Sequence, residues 1–264
     1  MHSFRNYILR QSLLLLIALL SVTRVYAFDL ALANQGDRVE DGIVQIGARE
    51  FALPPGVWIL TAKHKRRVSF RSTIDEGADV WTGYFVNLKD KQFRAAIELG
   101  ASVSSTSTRR WLPEPCKRDD VYFKDSFNSH IDFPECLLIT HSIKMFERSA
   151  QPWWQPTSLW FAEQGIKLPT TTLAAMYDKY QFGDCLLVKV WWNPEFAGLP
   201  PSKNVTQWSK NDWNKDRVES DPARSAYMQQ FVAWSQLMSD SYRASLNKKP
   251  MIALPDFPLA KTER

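Results

Sequence analysis

Between residues 28 and 150, the chain consists largely of short segments in which apolar and polar residues alternate, and this pattern restricts the fold more than any other. Val80–Leu88 and Phe93–Val103 are two such segments, and the polar turn Lys89-Asp90-Lys91 separates them. A period of two puts the apolar side chains of a strand on one face, and turns between segments favour antiparallel pairing. This part of the chain therefore predicts an antiparallel β-sheet.

The remainder of the chain combines strand and helix patterns. Leu186–Trp192 is the strongest strand signal, and we predict that it forms a hairpin with Thr170–Tyr180 across the turn residues Phe182-Gly183-Asp184. Trp153–Gln164 is predicted as a short helix that ends at Gly165, because a left-handed residue is commonly needed at a helix end.

A long amphipathic helix is predicted near the carboxyl terminus. Asp221 is a suitable N-cap, and Pro222 suits the first helical position. Large apolar residues then recur at spacings of three and four, which places them on one side of the helix: Tyr227, Phe231, Trp234, Met238 and Tyr242. We expect this side to pack against the sheet.

Together these patterns predict the α+β class, with an antiparallel β-sheet and the long amphipathic C-terminal helix packed on it. We expect one domain over residues 28–264, rich in strands from 28 to 150 and mixed from 151 to 264. Two lobes joined near residues 149–152 are the alternative. Beyond the helix, three prolines predict an extended tail anchored by Ile252, Leu254 and Phe257.

The first 27 residues have the features of a secretory signal peptide. Arg5 and Arg10 precede the apolar run Leu13–Val22, which is too short to span a bilayer, and a small-residue cleavage signal follows. We predict cleavage between Ala27 and Phe28. The protein would then be secreted, and the bacterial periplasm is the compartment that we favour.

The charge of the chain argues against nucleic-acid binding. Loss of the leader, which carries three arginines and no acidic residue, lowers the formal net charge from +5 to +2. Binding to nucleic acid needs a concentrated stripe of Lys and Arg, and the one dense basic cluster in the sequence is 63–67. We interpret this cluster as a solvated turn. No second apolar stretch approaches membrane-spanning length, so we expect the secreted protein to be soluble.

Three cysteines enter an oxidising compartment, where an odd number leaves one thiol unpaired. Cys116 and Cys136 bracket a polar segment with little apolar material, and a disulfide there would contribute about 3 kcal/mol. The alternative joins Cys136 to Cys185, since both begin similar strands. We favour Cys116–Cys136, because a bridge between two strands has restrictive geometry.

Common catalytic and cofactor motifs are absent from the sequence. It has no Gly-x-Ser-x-Gly element, no His-Glu-x-x-His pair and no glycine-rich phosphate loop, and we expect neither a cofactor nor a metal ion. The best candidate catalytic group is His130, Asp132 and His141, with a role in acid–base chemistry. The alternative is a loop histidine at 130 and a half-buried strand histidine at 141.

Tryptophan is unusually abundant, and all eleven tryptophans follow residue 27. Flat indole rings stack well on ligands, and the positions beside turns or in adjacent pairs give six candidate ligand-binding residues: Trp153, Trp154, Trp191, Trp192, Trp208 and Trp213. Because adjacent strand residues point to opposite faces, we expect one ring of the Trp191–Trp192 pair to lie near solvent. Core packing is the alternative for the whole set.

These observations favour an exported envelope protein with a non-catalytic binding or accessory role, which uses exposed aromatic surface to contact a glycan, a lipid or another envelope protein. A secreted hydrolase built on dispersed His and carboxylate residues is the first alternative. A structural or interaction subunit that uses the terminal helix or the tail is the second.

Overall fold

The computed structural model describes residues 27–69, 77–105, 115–130, 133–143, 155–181, 184–247 and 249–259. The strands in these residues are β1 Phe28–Asp29, β2 Arg38–Glu40, β3 Ile43–Ile46, β4 Arg49–Ala52, β5 Val57–Ser69, β6 Gly77–Lys89, β7 Gln92–Ser105, β8 Phe123–Asn128, β9 Glu135–Ile143, β10 Thr171–Gln181 and β11 Asp184–Trp192. The helices are α1 Gln155–Gln164, α2 Lys215–Val218 and α3 Pro222–Leu246.

Eight strands form one large sheet in the order β2-β5-β6-β7-β11-β10-β9-β8, and each neighbouring pair is antiparallel. The two four-stranded groups of this sheet meet where β7 pairs with β11, with Ile97 opposite Val190. The prediction of an α+β fold with an antiparallel sheet and a packed C-terminal helix is confirmed.

The predicted turn between β6 and β7 is also confirmed. Asp90 and Lys91 form the two-residue connection between β6 and β7, and both have positive φ values, 50° and 58°. Two left-handed residues give a connection whose twist matches that of the flanking strands. β10 and β11 form the predicted hairpin, with Ala175 opposite Val190, and residues 182–183 between them lie outside the described part of the chain.

One face of the large sheet packs against α3, and we call it the helix face. Asp221 caps the helix, because its Oδ1 accepts hydrogen bonds from the backbone N–H groups of Ala223 and Arg224, each at 3.1 Å. The predicted apolar stripe of α3 is buried at every position against strand residues such as Leu137 and Val188. Burial of this aromatic-rich stripe is the main hydrophobic contribution that holds α3 to the sheet.

The extended tail completes the core of the helix face. The ring of Phe257 lies between Trp192 and Trp234, with centroid separations of 4.2 Å and 4.5 Å. Leu254 is also buried, so two of the three predicted anchors are confirmed. The third was wrong, because Ile252 is 47% exposed and borders a groove of the surface instead of the core.

A second, three-stranded sheet in the order β1-β3-β4 lies beside this core. Phe28, the residue after the predicted cleavage site, belongs to β1 and packs edge-on against Phe85 at 5.9 Å. The hydroxyl of Tyr242 on α3 donates a 2.7 Å hydrogen bond to the backbone carbonyl of Ala52 on β4. The small sheet is therefore tied both to the large sheet and to α3.

The opposite face of the large sheet is covered at one end by α1, and we call it the stripe face. Phe161 of α1 packs edge-on against Phe93 at 5.9 Å within a cluster that also contains Trp191. The helix ends before Gly165, whose φ of 62° confirms the predicted left-handed C-terminal residue. Residues 153–154 of the predicted helix lie outside the described part of the chain.

The basic cluster at 63–67 is not a turn, and this prediction was wrong. It lies within β5, paired with β6 along its length. Asp79 on β6 stabilises the strand, since its carboxylate lies 3.1 Å from Lys65 Nζ and 3.2 Å from Arg67 NH1. A cross-strand carboxylate offsets the repulsion between like charges that favoured a turn.

Cys116 and Cys136 form a disulfide, which is the pairing favoured from the sequence. Cys185 is a free thiol inside the protein, and burial raises its pKa to about 12. A thiol with so high a pKa is unreactive at neutral pH. Within the described ranges, no helix is both long and apolar enough to cross a membrane.

Candidate functional site

Three of the six tryptophans proposed as ligand contacts are core residues. Trp191 and Trp192 are both buried, so the expectation that one of these rings lies near solvent was wrong. The strand does point them to opposite faces, but α1 covers the first ring and Phe257 covers the second. Trp213 is fully buried beside Tyr227, and Trp153 and Trp154 lie outside the described residues.

Trp208 differs from the other candidates in the described residues because it reaches the surface. Trp208 is 39% exposed and begins a short 3₁₀ turn, Trp208–Lys210. The indole lies parallel to the imidazole of His141, with a centroid separation of 3.5 Å and an interplanar angle of 7°. We call this stacked pair the Trp208 platform.

Asparagine side chains fix the segment that carries Trp208. The amide of Asn211 donates hydrogen bonds to Thr171 Oγ1 on β10 at 3.1 Å and to the backbone carbonyl of Asn204 at 2.7 Å. The amide of Asn214 donates to the carbonyl of Trp208 itself at 3.3 Å. These contacts hold the backbone segment that carries Trp208 against the large sheet.

His141 is buried on β9, more deeply than the half-buried position expected from the sequence. Its Nδ1 lies 3.1 Å from the hydroxyl of Tyr122, and its Nε2 is buried without a hydrogen-bond partner among the described residues. Burial lowers the pKa of His141 to about 3, so its ring is neutral near pH 7. A general base works best with a pKa near the operating pH, and His141 does not meet that condition.

The structure does not bring the two candidate histidines, His130 and His141, together. His130 lies in the loop between β8 and β9, where its backbone N–H donates to Asn128 Oδ1 at 2.8 Å and its ring contacts Phe133. His141 lies near the other end of β9, which at the usual rise of a strand is roughly 20 Å away. Asp132 is outside the described residues. Among those described, no group of three or more His, Cys, Asp or Glu side chains could hold a metal ion.

A second group of polar side chains crosses the stripe face, and sequence reasoning did not identify it. Strand register places the members on adjacent strands: Tyr84 opposite Glu98, and Glu98 opposite Lys189. Asp178 and Tyr180 follow on β10, beside β11. We call these five residues the polar stripe.

The ion pair within the polar stripe is a long one. Lys189 Nζ lies 3.8 Å from Glu98 Oε2, longer than a normal hydrogen bond, and the hydroxyl of Tyr84 interacts with the same carboxylate. The Lys189 side chain is 34% exposed and marks where the stripe meets solvent. Apolar clusters flank the stripe, one under α1 with Trp191 and another around Cys185.

Asp178 is a deeply buried charge of the polar stripe, and the positive charge of Lys189 acts on it. The residue is only 5% exposed, and no described group donates a hydrogen bond to its carboxylate. The residues opposite it on the neighbouring strands are Leu187 and the disulfide-bonded Cys136, neither of which is a useful donor. Burial raises the pKa of Asp178 to about 6.

The signal that could have identified the stripe is a charged residue inside a strongly apolar strand. Glu98, Asp178 and Lys189 each interrupt such a run. The sequence alone does not show that the three charges share one face of the sheet. Their common face depends on the pairing of β7 with β11. No family model, curated protein or solved structure matches the chain. Function must therefore be argued from these two sites.

Proposed function

We propose that this chain is an exported, non-catalytic binding protein of the cell envelope, and that it binds a glycan on the Trp208 platform. The signal-peptide features of residues 1–27 support export and favour the bacterial periplasm. The observation that carries the binding proposal is the exposed indole of Trp208, stacked at 3.5 Å on a buried imidazole.

The geometry of the Trp208 platform suits a sugar ring. One face of the indole is occupied by His141, which fixes the ring, and the exposed surface presents a flat apolar area. The neighbouring exposed residues supply hydroxyl, amide and ammonium groups: Thr206, Gln207, Ser209 and Lys210. An apolar plane beside a few polar groups is the usual composition of a small-ligand site, and the C–H and O–H groups of a sugar match both parts.

The neutral state of His141 supports binding in preference to catalysis. Because burial keeps its pKa low, the imidazole supports the indole without placing a charge beneath the ligand. The tail, in turn, does not support the alternative of an interaction subunit. Trp234 Nε1 donates a 3.1 Å hydrogen bond to the carbonyl of Pro255, and Phe257 is buried in the core of the same chain.

The direct test is a glycan array probed with the cleaved protein, followed by calorimetry with the best soluble oligosaccharide. Replacement Trp208→Ala removes the exposed aromatic plane, and we expect a loss of affinity of about tenfold, the usual value of one aromatic contact. Trp208→Phe, which keeps a smaller plane, should retain part of the affinity.

Leu159→Ala is the matched control, since Leu159 is also a large exposed apolar residue but lies on α1. This variant should bind like the wild type. Equal affinity of Trp208→Ala and wild type, or no glycan bound by the wild type, would contradict the proposal.

A further inference from the structure

A cavity of about 380 Å³ lies beside α1 on the stripe face, and none of its lining residues belongs to the Trp208 platform or to the polar stripe. We propose that this cavity binds a small aromatic carboxylate. Its volume is in the usual range of small-ligand sites, roughly 300–1,000 Å³. The inference is independent of the glycan proposal, because the two sites share no residue.

The walls of the cavity are held in place by backbone hydrogen bonds. On one side, the N–H of Gly36 donates to the carbonyl of Leu60 at 2.8 Å, which fixes the approach to β2 against β5. On the other side, the N–H of Lys167 donates to the carbonyl of Lys91 at 3.0 Å, which fixes the segment after α1 against the β6–β7 turn. The cavity is therefore formed without a ligand, and binding needs little rearrangement of the backbone.

Part of the lining is apolar and includes one aromatic ring. Ile59, Leu88 and Ile166 line the cavity, and each is partly buried against the cluster under α1. Trp160 of α1 lines it as well, and its indole packs edge-on against Phe161 at 5.8 Å. An indole beside aliphatic side chains favours a ligand with a flat, apolar body.

Two cations also line the cavity, and no described residue compensates them. Arg38 lies opposite Ile59 in the pairing of β2 with β5, and Lys91 belongs to the β6–β7 turn. Neither side chain has an ion pair or a hydrogen bond with a described residue, and no carboxylate lines the cavity. Asp37, next to Arg38, accepts instead from the backbone N–H of Asn34 at 2.7 Å. Three further carboxylates within two residues of the lining are exposed and lie outside it: Glu40, Asp90 and Glu163.

An anionic group on the ligand would interact with both cations. The guanidinium of Arg38 presents parallel N–H donors that match a carboxylate, and Lys91 adds a second positive charge. Gln164, one helical turn after Trp160 on α1, supplies an amide to the same cavity. A carboxylate on an aromatic body therefore matches both parts of the lining, whereas a neutral ligand of the same shape would match only the apolar part.

The experiment is calorimetry of the cleaved protein with 3-phenylpropanoate, and with 3-phenylpropanamide as a neutral probe of the same shape. Wild type should bind the carboxylate and bind the amide about tenfold more weakly. Arg38→Gln should weaken carboxylate binding about tenfold, and Arg38→Lys, which keeps the charge but not the planar donors, should weaken it less. Absence of carboxylate binding by wild type, or equal binding of the carboxylate and the amide, would overturn the proposal.

Gln164 allows a test in which a structural effect can be recognised, because this residue is exposed on α1. Gln164→Lys should tighten carboxylate binding several-fold and Gln164→Glu should weaken it several-fold, since the two variants add opposite charges at one position. Lys249→Gln, at an exposed position after α3 and outside this lining, is the charge-matched control and should bind like wild type. Equal binding by wild type and Arg38→Gln, or changes of the same sign in both Gln164 variants, would also overturn the proposal.

Discussion

Glu135 and Asp178 are buried carboxylates on adjacent strands, but they lie on opposite faces of the large sheet. On the helix face, Glu135 receives donors from β10 and from α3. On the stripe face, Asp178 lies between Leu187 and Cys136 and has no described donor. The same sheet therefore gives one buried charge several donors and leaves the other with the attraction of Lys189 and no described hydrogen-bond donor.

The largest expected effect in this comparison is on Asp178. Asp178→Asn should raise the free energy of unfolding by about 3 kcal/mol near pH 7, since the shift of its pKa to about 6 measures the cost of keeping the carboxylate charged. The raised pKa means that the folded state binds the proton more tightly than the unfolded state. The gain should therefore be full above pH 6 and should disappear as the pH falls toward 4. Urea denaturation over this pH range measures it.

The matched substitution on the helix face should have the opposite sign. Glu135→Gln removes the buried anion that Arg243 and Lys179 share, and we expect a loss of about 2.5 kcal/mol, reduced from a fully buried pair because both cations are partly exposed. If Asp178→Asn and Glu135→Gln both stabilised the protein, or both destabilised it, the two buried carboxylates would not differ in the way described.

Sequence patterns predicted the strands, the hairpin and the long helix because these depend on local alternation and spacing. The register of Tyr227, Phe231 and Trp234 on α3 is visible in the sequence, and the structure buries all three. The disulfide was also predictable, because Cys116 and Cys136 bracket a segment that lacks apolar anchors. Local patterns determine which face of an element is apolar.

The sites required information that local patterns do not contain. Burial of Trp191 and Trp192 depends on what covers each face, namely α1 and the distant Phe257. The basic segment 63–67 reads as a turn until its partner Asp79 on β6 is known. The polar stripe likewise exists only because β7 pairs with β11, strands separated by about eighty residues.

A smaller effect is expected at the Trp208 platform, on the margin of the helix face. Burial lowers the pKa of His141 to about 3. Between pH 6.5 and 3, the histidine is therefore protonated in the unfolded state and neutral in the folded state. Stability should fall by about 2 kcal/mol as the pH is lowered from 6.5 to 5. His141→Phe keeps an aromatic ring beneath Trp208 and removes this dependence, so the difference between the two stability curves isolates it. Parallel curves for the two proteins would show that His141 is not buried in this way.

The most direct test of the contrast between the two faces is the ionisation of Asp178 itself. Carbon-detected NMR of the side-chain carboxyl can follow its titration in the ligand-free protein. A pKa of about 6 is the predicted result, because burial opposes the charge more strongly than Lys189 favours it. A pKa near the ordinary value of 3.8 would show that Asp178 is solvated or paired, and it would contradict the account of the stripe face.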